Sequence, residues 1–183
     1  FTFHADTLEA LGSDEARNVL TTALSEFPKS TRLLFARATL LERRGLFNQA
    51  ETDYRQILNL APGDAGALNA LGYALTNNTT RFSEAADLLE EALTKDPRNP
   101  AIIDSLGWLN YRQGHLRQAK ALLSKAYAIL PDAEIAAYLG LVEWALGDTK
   151  GAFKTWNEAL AKEPDNLLIK QAIMDAQNDF EQN

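Results

Sequence analysis

Two histidines, His4 and His115, and no cysteine make a thin catalytic inventory for a chain of 183 residues. Without cysteine there is no thiol nucleophile, no thiolate-held zinc, no iron–sulfur cluster and no disulfide. His4 lies in a ragged leading segment, and His115 closes the turn Arg112-Gln113-Gly114-His115. Neither has a predicted nucleophile and an orienting carboxylate beside it, as acyl-transfer chemistry requires. The patterns His-x-x-x-His, Gly-x-x-x-x-Gly-Lys and Gly-x-Ser-x-Gly do not occur, which removes the common metal, phosphate and nucleophile-elbow signatures. Glu90-Glu91 and Asp175/Asp179 read as solvated helix faces rather than acid/base pairs. Asn77-Asn78-Thr79-Thr80 contains glycosylation sequons, informative only in a secreted eukaryotic chain. The expectation is no catalysis, no metal and no cofactor.

Charge narrows the partners. Eighteen Lys+Arg against 25 Asp+Glu give a net charge of −7, which disfavours nucleic acid unless a basic stripe appears. With 46% hydrophobic and 23% charged residues, the composition is that of a globular protein. No apolar run reaches the roughly 18 residues of a membrane helix, and no signal peptide opens the chain. The first residue is Phe1, and Phe1 to Leu11 reads as the end of a longer helix, so a fragment or processed chain is expected.

The elements that would position any binding residues come from a repeat. Pro28, Pro62, Pro97, Pro131 and Pro164 are spaced 34, 35, 34 and 33 residues apart. Twelve residues before each stands Ala16, Ala50, Ala85, Ala119 or Ala152. Four residues after each alanine stands Leu20, Tyr54, Leu89, Leu123 or Trp156. Each period reads as two helices. Between Asn99 and Pro131, Ile103, Leu106 and Leu109, then Leu116, Leu122, Leu123, Ala126 and Ile129, recur at helical spacing. Gly45, Gly114 and Gly147 fall in the inter-helix turns and suit a left-handed C-cap. The third period has Asn77-Asn78-Thr79-Thr80 there, and asparagine is the next best residue for that backbone. Asp64, Asn99 and Asp165 are the candidate N-caps. Gly72, Gly107 and Gly140, facing the recurrent alanines, predict close approach of paired helices, since each gives up about 1 kcal/mol of helix propensity.

Leu71-Gly72, Leu106-Gly107 and Leu139-Gly140, the turn glycines, the alanine at position 20, the bulky residue at 24, Ala92/Ala126/Ala159 at 27 and the proline at 32 together resemble the tetratricopeptide repeat. The resemblance implies an all-α fold, a right-handed superhelical solenoid of antiparallel helix pairs. It divides the chain into a partial or irregular first repeat at 1–30, full repeats at 31–64, 65–99, 100–132 and 133–166, and a capping helix at 167–183. The repeat at 31–64 departs most, with Ile57 at position 27 and Arg37-Ala38 in place of Leu-Gly. In the capping helix, Leu167, Leu168, Ile169, Ala172, Ile173 and Ala176 form the apolar face.

The resemblance also places positions 2, 5, 9, 12 and 13 of each repeat on a concave surface. At 100° per residue, positions 5, 9 and 12 lie within about 60° of one another, away from the core positions. The candidate groove residues are Asn69, Tyr73 and Asn77, then Asp104, Trp108, Tyr111 and Arg112, and finally Tyr138 and Trp144. The asparagines would hold the backbone of an extended peptide, Asp104 and Arg112 would set its polarity, and the rings would supply contact area. Large residues at positions 9 and 12 equally serve packing between neighbouring first helices, and both readings stand at this point. Trp156 at position 24, Phe153 and Phe180 read as core. Chaperone-tail binders of this family use lysine at position 5 and asparagine at 9. No repeat here has that pair, and Asp104 would repel a carboxylate.

The implied function is a non-catalytic scaffold or adaptor for a protein or peptide partner. An assembly module, or the targeting arm of a larger enzyme, are the alternatives. A finer resemblance rests on Leu71-Gly72-Tyr73-Ala74-Leu75, on Pro100 through Trp108, and on Pro131-Asp132-Ala133-Glu134-Ile135. These runs look like the C-terminal repeats of Gram-negative outer-membrane lipoproteins, which implies a periplasmic location. It also implies a lipid anchor in a missing N-terminal part, and recruitment of a C-terminal-processing peptidase. A cytoplasmic location is the alternative.

Overall fold

The computed structural model describes residues 14–181, with side chains to residue 178. His4, the segment Phe1 to Leu11 and the side chain of Phe180 lie outside what is described. Among the described residues there are ten helices and no strand. They are α1 (Glu15–Glu26), α2 (Thr31–Arg43), α3 (Phe47–Leu60), α4 (Ala65–Asn78), α5 (Phe82–Lys95), α6 (Pro100–Arg112), α7 (Leu116–Ile129), α8 (Ala133–Ala145), α9 (Thr149–Leu160) and α10 (Leu167–Glu181). The fold is an all-α helical repeat array. Two compact units divide it, residues 1–95 and 96–183.

In the first unit, α2 pairs with α3 and α4 with α5, while α1 packs on α2 and α3 on α4. The recurrent alanines Ala16, Ala50 and Ala85 and the bulky Leu20, Tyr54 and Leu89 are all buried. In the second unit α6 pairs with α7 and α8 with α9, and α10 closes over α8 and α9. Its core gathers Trp156, Ala152, Ala136, Ala137, Ile169, Ala172 and Ala176.

The turns follow local chemistry. Gly45, Gly114 and Gly147 adopt φ of 71°, 78° and 83°, the left-handed backbone that only glycine enters freely. The third period solves the same problem differently, and the left-handed asparagine expected there is absent. No described non-glycine residue has positive φ. Instead α4 runs on to Asn78, whose Nδ2 donates to Ala74 O at 2.8 Å, and Thr79 Oγ1 donates to Leu75 O at 2.7 Å. The longer turn lets side chains satisfy the terminal carbonyls, so no reversal of φ is needed.

Several helix starts, α2, α4, α6, α8 and α9 among them, are capped by side chains. Asp64 Oδ1 accepts from Ala67 N and Asn99 Oδ1 from Ala101 N. At α10 the acceptor is Asn166, bonded to Ile169 N at 3.1 Å. Asp165, the expected cap, pairs with Lys170 instead. Within α10, Ile169, Ala172 and Ala176 are buried as expected, but Leu167 is 79% exposed and Leu168 is exposed as well. Both sit in the first turn of the helix.

The glycines within helices have a specific neighbour. A Cβ on Gly72 would lie 2.6 Å from Leu89 Cγ, and one on Gly107 2.6 Å from Leu123 Cγ. On Gly140 it would lie 2.1 Å from Trp156 Nε1. Position 8 is therefore small because the bulky side chain at position 24 of the same repeat fills it.

Candidate functional site

The residues singled out in the second unit gather on α6 and α8. Trp108 stacks on Tyr138 with ring centroids 4.2 Å apart and planes at 20°. It also stacks on Tyr111 at 5.1 Å, and the Arg112 guanidinium lies 5.9 Å from its ring. Position 9 of one first helix thus meets position 6 of the next. Such pairs contribute about 0.5–1.5 kcal/mol beyond buried area. Tyr138 is buried, with its hydroxyl donating to Glu134 Oε1 at 3.3 Å, while Trp108 and Tyr111 stay half-exposed.

One turn before Trp108, Asp104 is only 6% exposed, and its Oδ1 has no hydrogen-bond partner. Burial, helped by the nearby charges of Glu134 and Asp132, pushes its carboxyl up to about 8. Asp132 meanwhile caps α8, accepting from Glu134 N at 2.8 Å.

Trp144 has a different setting. Its ring meets Phe153 edge-on at 5.7 Å and Trp156 at 6.3 Å, against the apolar cluster that α8, α9 and α10 share. Trp156 is fully buried and donates from Nε1 to Ala137 O at 3.2 Å. Phe153 packs against both tryptophans.

In the first unit, Asn69, Tyr73 and Asn77 share one face of α4. Asn69 and Tyr73 are half-buried and Asn77 is exposed. Asn69 Oδ1, at the same repeat position as Asp104, is also a buried acceptor without a partner.

Sequence reasoning missed a buried charge. Asp53 is almost wholly enclosed and takes a two-pronged bond from Arg37, Nε to Oδ2 and Nη2 to Oδ1, both 2.7 Å. Arg37 stands where the other repeats have leucine, and the signal was available: an arginine at position 7 accompanied by an aspartate at 23. A second tie joins the buried Glu143 to Thr155 Oγ1 at 2.8 Å and to Lys120 Nζ at 3.4 Å. Among the described residues no group of three His, Asp or Glu side chains is placed to hold a metal, and no helix is long and apolar enough to cross a membrane. His115 lies exposed in its turn.

Family models of the tetratricopeptide repeat match residues 7–65, 35–100 and 80–143. A TPR repeat-containing protein of Pseudomonas aeruginosa is 42% identical over 127 residues, 69% of this chain and 22% of its own length. The chain therefore spans about a fifth of that relative. Among solved structures, a thermophilic TPR protein of Thermus thermophilus superposes with a TM-score of 0.82 at 24% identity, covering 94% of this chain and 95% of the other. YrrB, described as a TPR protein with an unusual peptide-binding site, has a TM-score of 0.62 at 15% identity, covering 93% and 88%. These two likenesses are of fold. The family-model matches carry the assignment: the chain belongs to the tetratricopeptide repeat family, whose members act generally as non-catalytic protein-interaction scaffolds.

Proposed function

We propose that this chain binds a protein or peptide partner on the exposed faces of its first helices. The observation that carries the reading is the contiguous ring cluster Trp108–Tyr111–Tyr138 on α6 and α8, beside the unpartnered oxygen of Asp104. Stacked rings held by two packed helices form a preordered surface, so little conformational freedom is lost on binding. Half-exposed Trp and Tyr are also the side chains that most often dominate binding energy. Tyr73, with Asn69 and Asn77, offers a comparable face on α4. Trp144 is half-buried against the cluster around Trp156, where truncation would also loosen packing, so the informative variant is Trp108→Ala with Tyr111→Ala. Affinity capture with wild type and this variant tests the reading, with helical content checked by circular dichroism. Loss of the partner from a folded variant is expected; equal recovery of the same partner by both proteins defeats it.

Assembly is the second reading, favoured by one observation. Leu167 and Met174 are exposed on α10 seven residues apart, on one helix face, with exposed Leu168 beside them. Light scattering separates the two, because a monomer at high concentration removes assembly. Periplasmic residence, outer-membrane anchoring and recruitment of a processing peptidase rest on the sequence resemblance alone. Fractionation of cells expressing the full-length tagged protein tests the location, and co-purification of a peptidase tests the partner.

A further inference from the structure

Asp104, on the ring-bearing face of α6, is a carboxyl side chain only 6% exposed, with its Oδ1 left unbonded. Buried acceptors nearly always find a donor, and one that does not calls for an explanation. The nearby charges that act on this carboxyl, Glu134 of α8 and Asp132 just before it, are both acidic. As carboxylates, neither can donate to it. Tyr138, the hydroxyl-bearing residue of α8, gives its proton to Glu134. Three carboxyl groups therefore lie near one another, and the Trp108 and Tyr138 rings, stacked at 4.2 Å, stand on the same two helices, α6 and α8. A metal ion does not suit this arrangement, since no three ligating side chains converge among the described residues. A guanidinium or ammonium on a hydrocarbon stem does. Its stem lies along ring surface and its head donates to carboxylate oxygens. The Arg112 guanidinium already lies over the Trp108 ring, 5.9 Å from its centroid.

We propose that α6 and α8 form a subsite for one basic side chain, lysine or arginine, of the bound partner, with Asp104 as its principal counter-charge and Trp108 and Tyr138 as its walls. This deepens the scaffold reading and rests on it. The raised affinity of Asp104 for a proton fits the assignment: in the free protein a proton supplies the charge that the partner's cation later replaces. Binding of a basic peptide then releases that proton, and affinity rises between about pH 6 and pH 8 as the carboxyl ionises more readily. Burial first, and then the charges of Glu134 and Asp132, favours the protonated Asp104 in the free state, and those two charges add to the attraction for the cation.

The test is selection from a random twelve-residue peptide library on the wild-type chain. Recovered peptides are resynthesised with each Lys or Arg replaced by norleucine or citrulline. Peptides sharing one basic residue are expected, their binding weakened by about tenfold to a hundredfold when that residue is neutralised or when Asp104→Asn is introduced. Calorimetry in buffers of different ionisation enthalpy should register the released proton with wild type and not with Asp104→Asn. Peptides that bind without a basic residue, or as tightly to Asp104→Asn, overturn the subsite and leave the scaffold reading intact. Failure to recover any peptide overturns both.

Discussion

The contact between Gly140 and Trp156 gives the most exacting test of how these repeats pack. A methyl group on Gly140 would sit 2.1 Å from Trp156 Nε1, 2.3 Å from Cε2 and 2.7 Å from Cδ1. Ordinary contacts lie near 3.5–4.0 Å, so the indole must retreat by more than about 1 Å. It has nowhere to go: Trp156 is fully buried, with Trp144 and Phe153 against it. Retreat also strains the 3.2 Å bond to Ala137 O. Overpacking at the upper end of its usual range, about 3 kcal/mol, plus about 1 for the hydrogen bond, is offset by about 1 from better helix propensity. Gly140→Ala should therefore destabilise the second unit by about 3 kcal/mol. Gly107→Ala should cost less, about 1–2 kcal/mol, because its nearest atoms belong to the flexible Leu123 side chain. The assay is urea unfolding followed by circular dichroism, completed as a cycle with Trp156→Leu. On that background Gly140→Ala should lose about 2 kcal/mol of its effect. An unchanged penalty in the two backgrounds would refute the steric account.

Three further outcomes are expected. Asp104→Asn should flatten the dependence of stability on pH: a carboxyl held near 8 in the fold and near 3.8 when unfolded leaves wild type fully stable at low pH and weaker as pH rises through that interval. The variant should gain on the order of 3 kcal/mol at pH 7, and parallel pH curves would disprove it. Arg37→Leu restores the residue found in the other repeats yet strands Asp53, so unfolding should be easier by about 3 kcal/mol; adding Asp53→Val should recover most of it in the same denaturation assay. Gly114→Ala meets no atom within 4 Å but keeps φ at +78°, so a loss of about 1 kcal/mol from backbone strain alone is expected, read as a lower thermal midpoint.

Much of the helical framework was legible because the repeat writes the same packing demand five times over. Alanine at position 20 and a bulky residue at 24 mark buried positions whatever surrounds them. What escaped was what neighbours decide. Asp104 carries a solvent-seeking side chain, and only tertiary packing, which no local pattern reports, makes that position an enclosed one. Trp144 occupies a groove position by spacing, and its half-buried ring also rests on Phe153 and Trp156. At α10 two adjacent residues, Asp165 and Asn166, could each have served as the cap; the helix begins at Leu167, which puts the second directly before it. The Arg37–Asp53 bond joins residues 16 apart, outside the reach of any helical pattern.

That bond also constrains how the array can change over generations. Each repeat of such an array contacts only its neighbours, and the repeats here share leucine, glycine and alanine at matching places. Residues 37 and 53 lie outside that pattern. A crossover between α2 and α3 would deliver either an arginine facing apolar carbon or an aspartate without its cation. Replacing α2 or α3 alone would therefore break two hydrogen bonds of 2.7 Å, so these two helices are exchangeable only together.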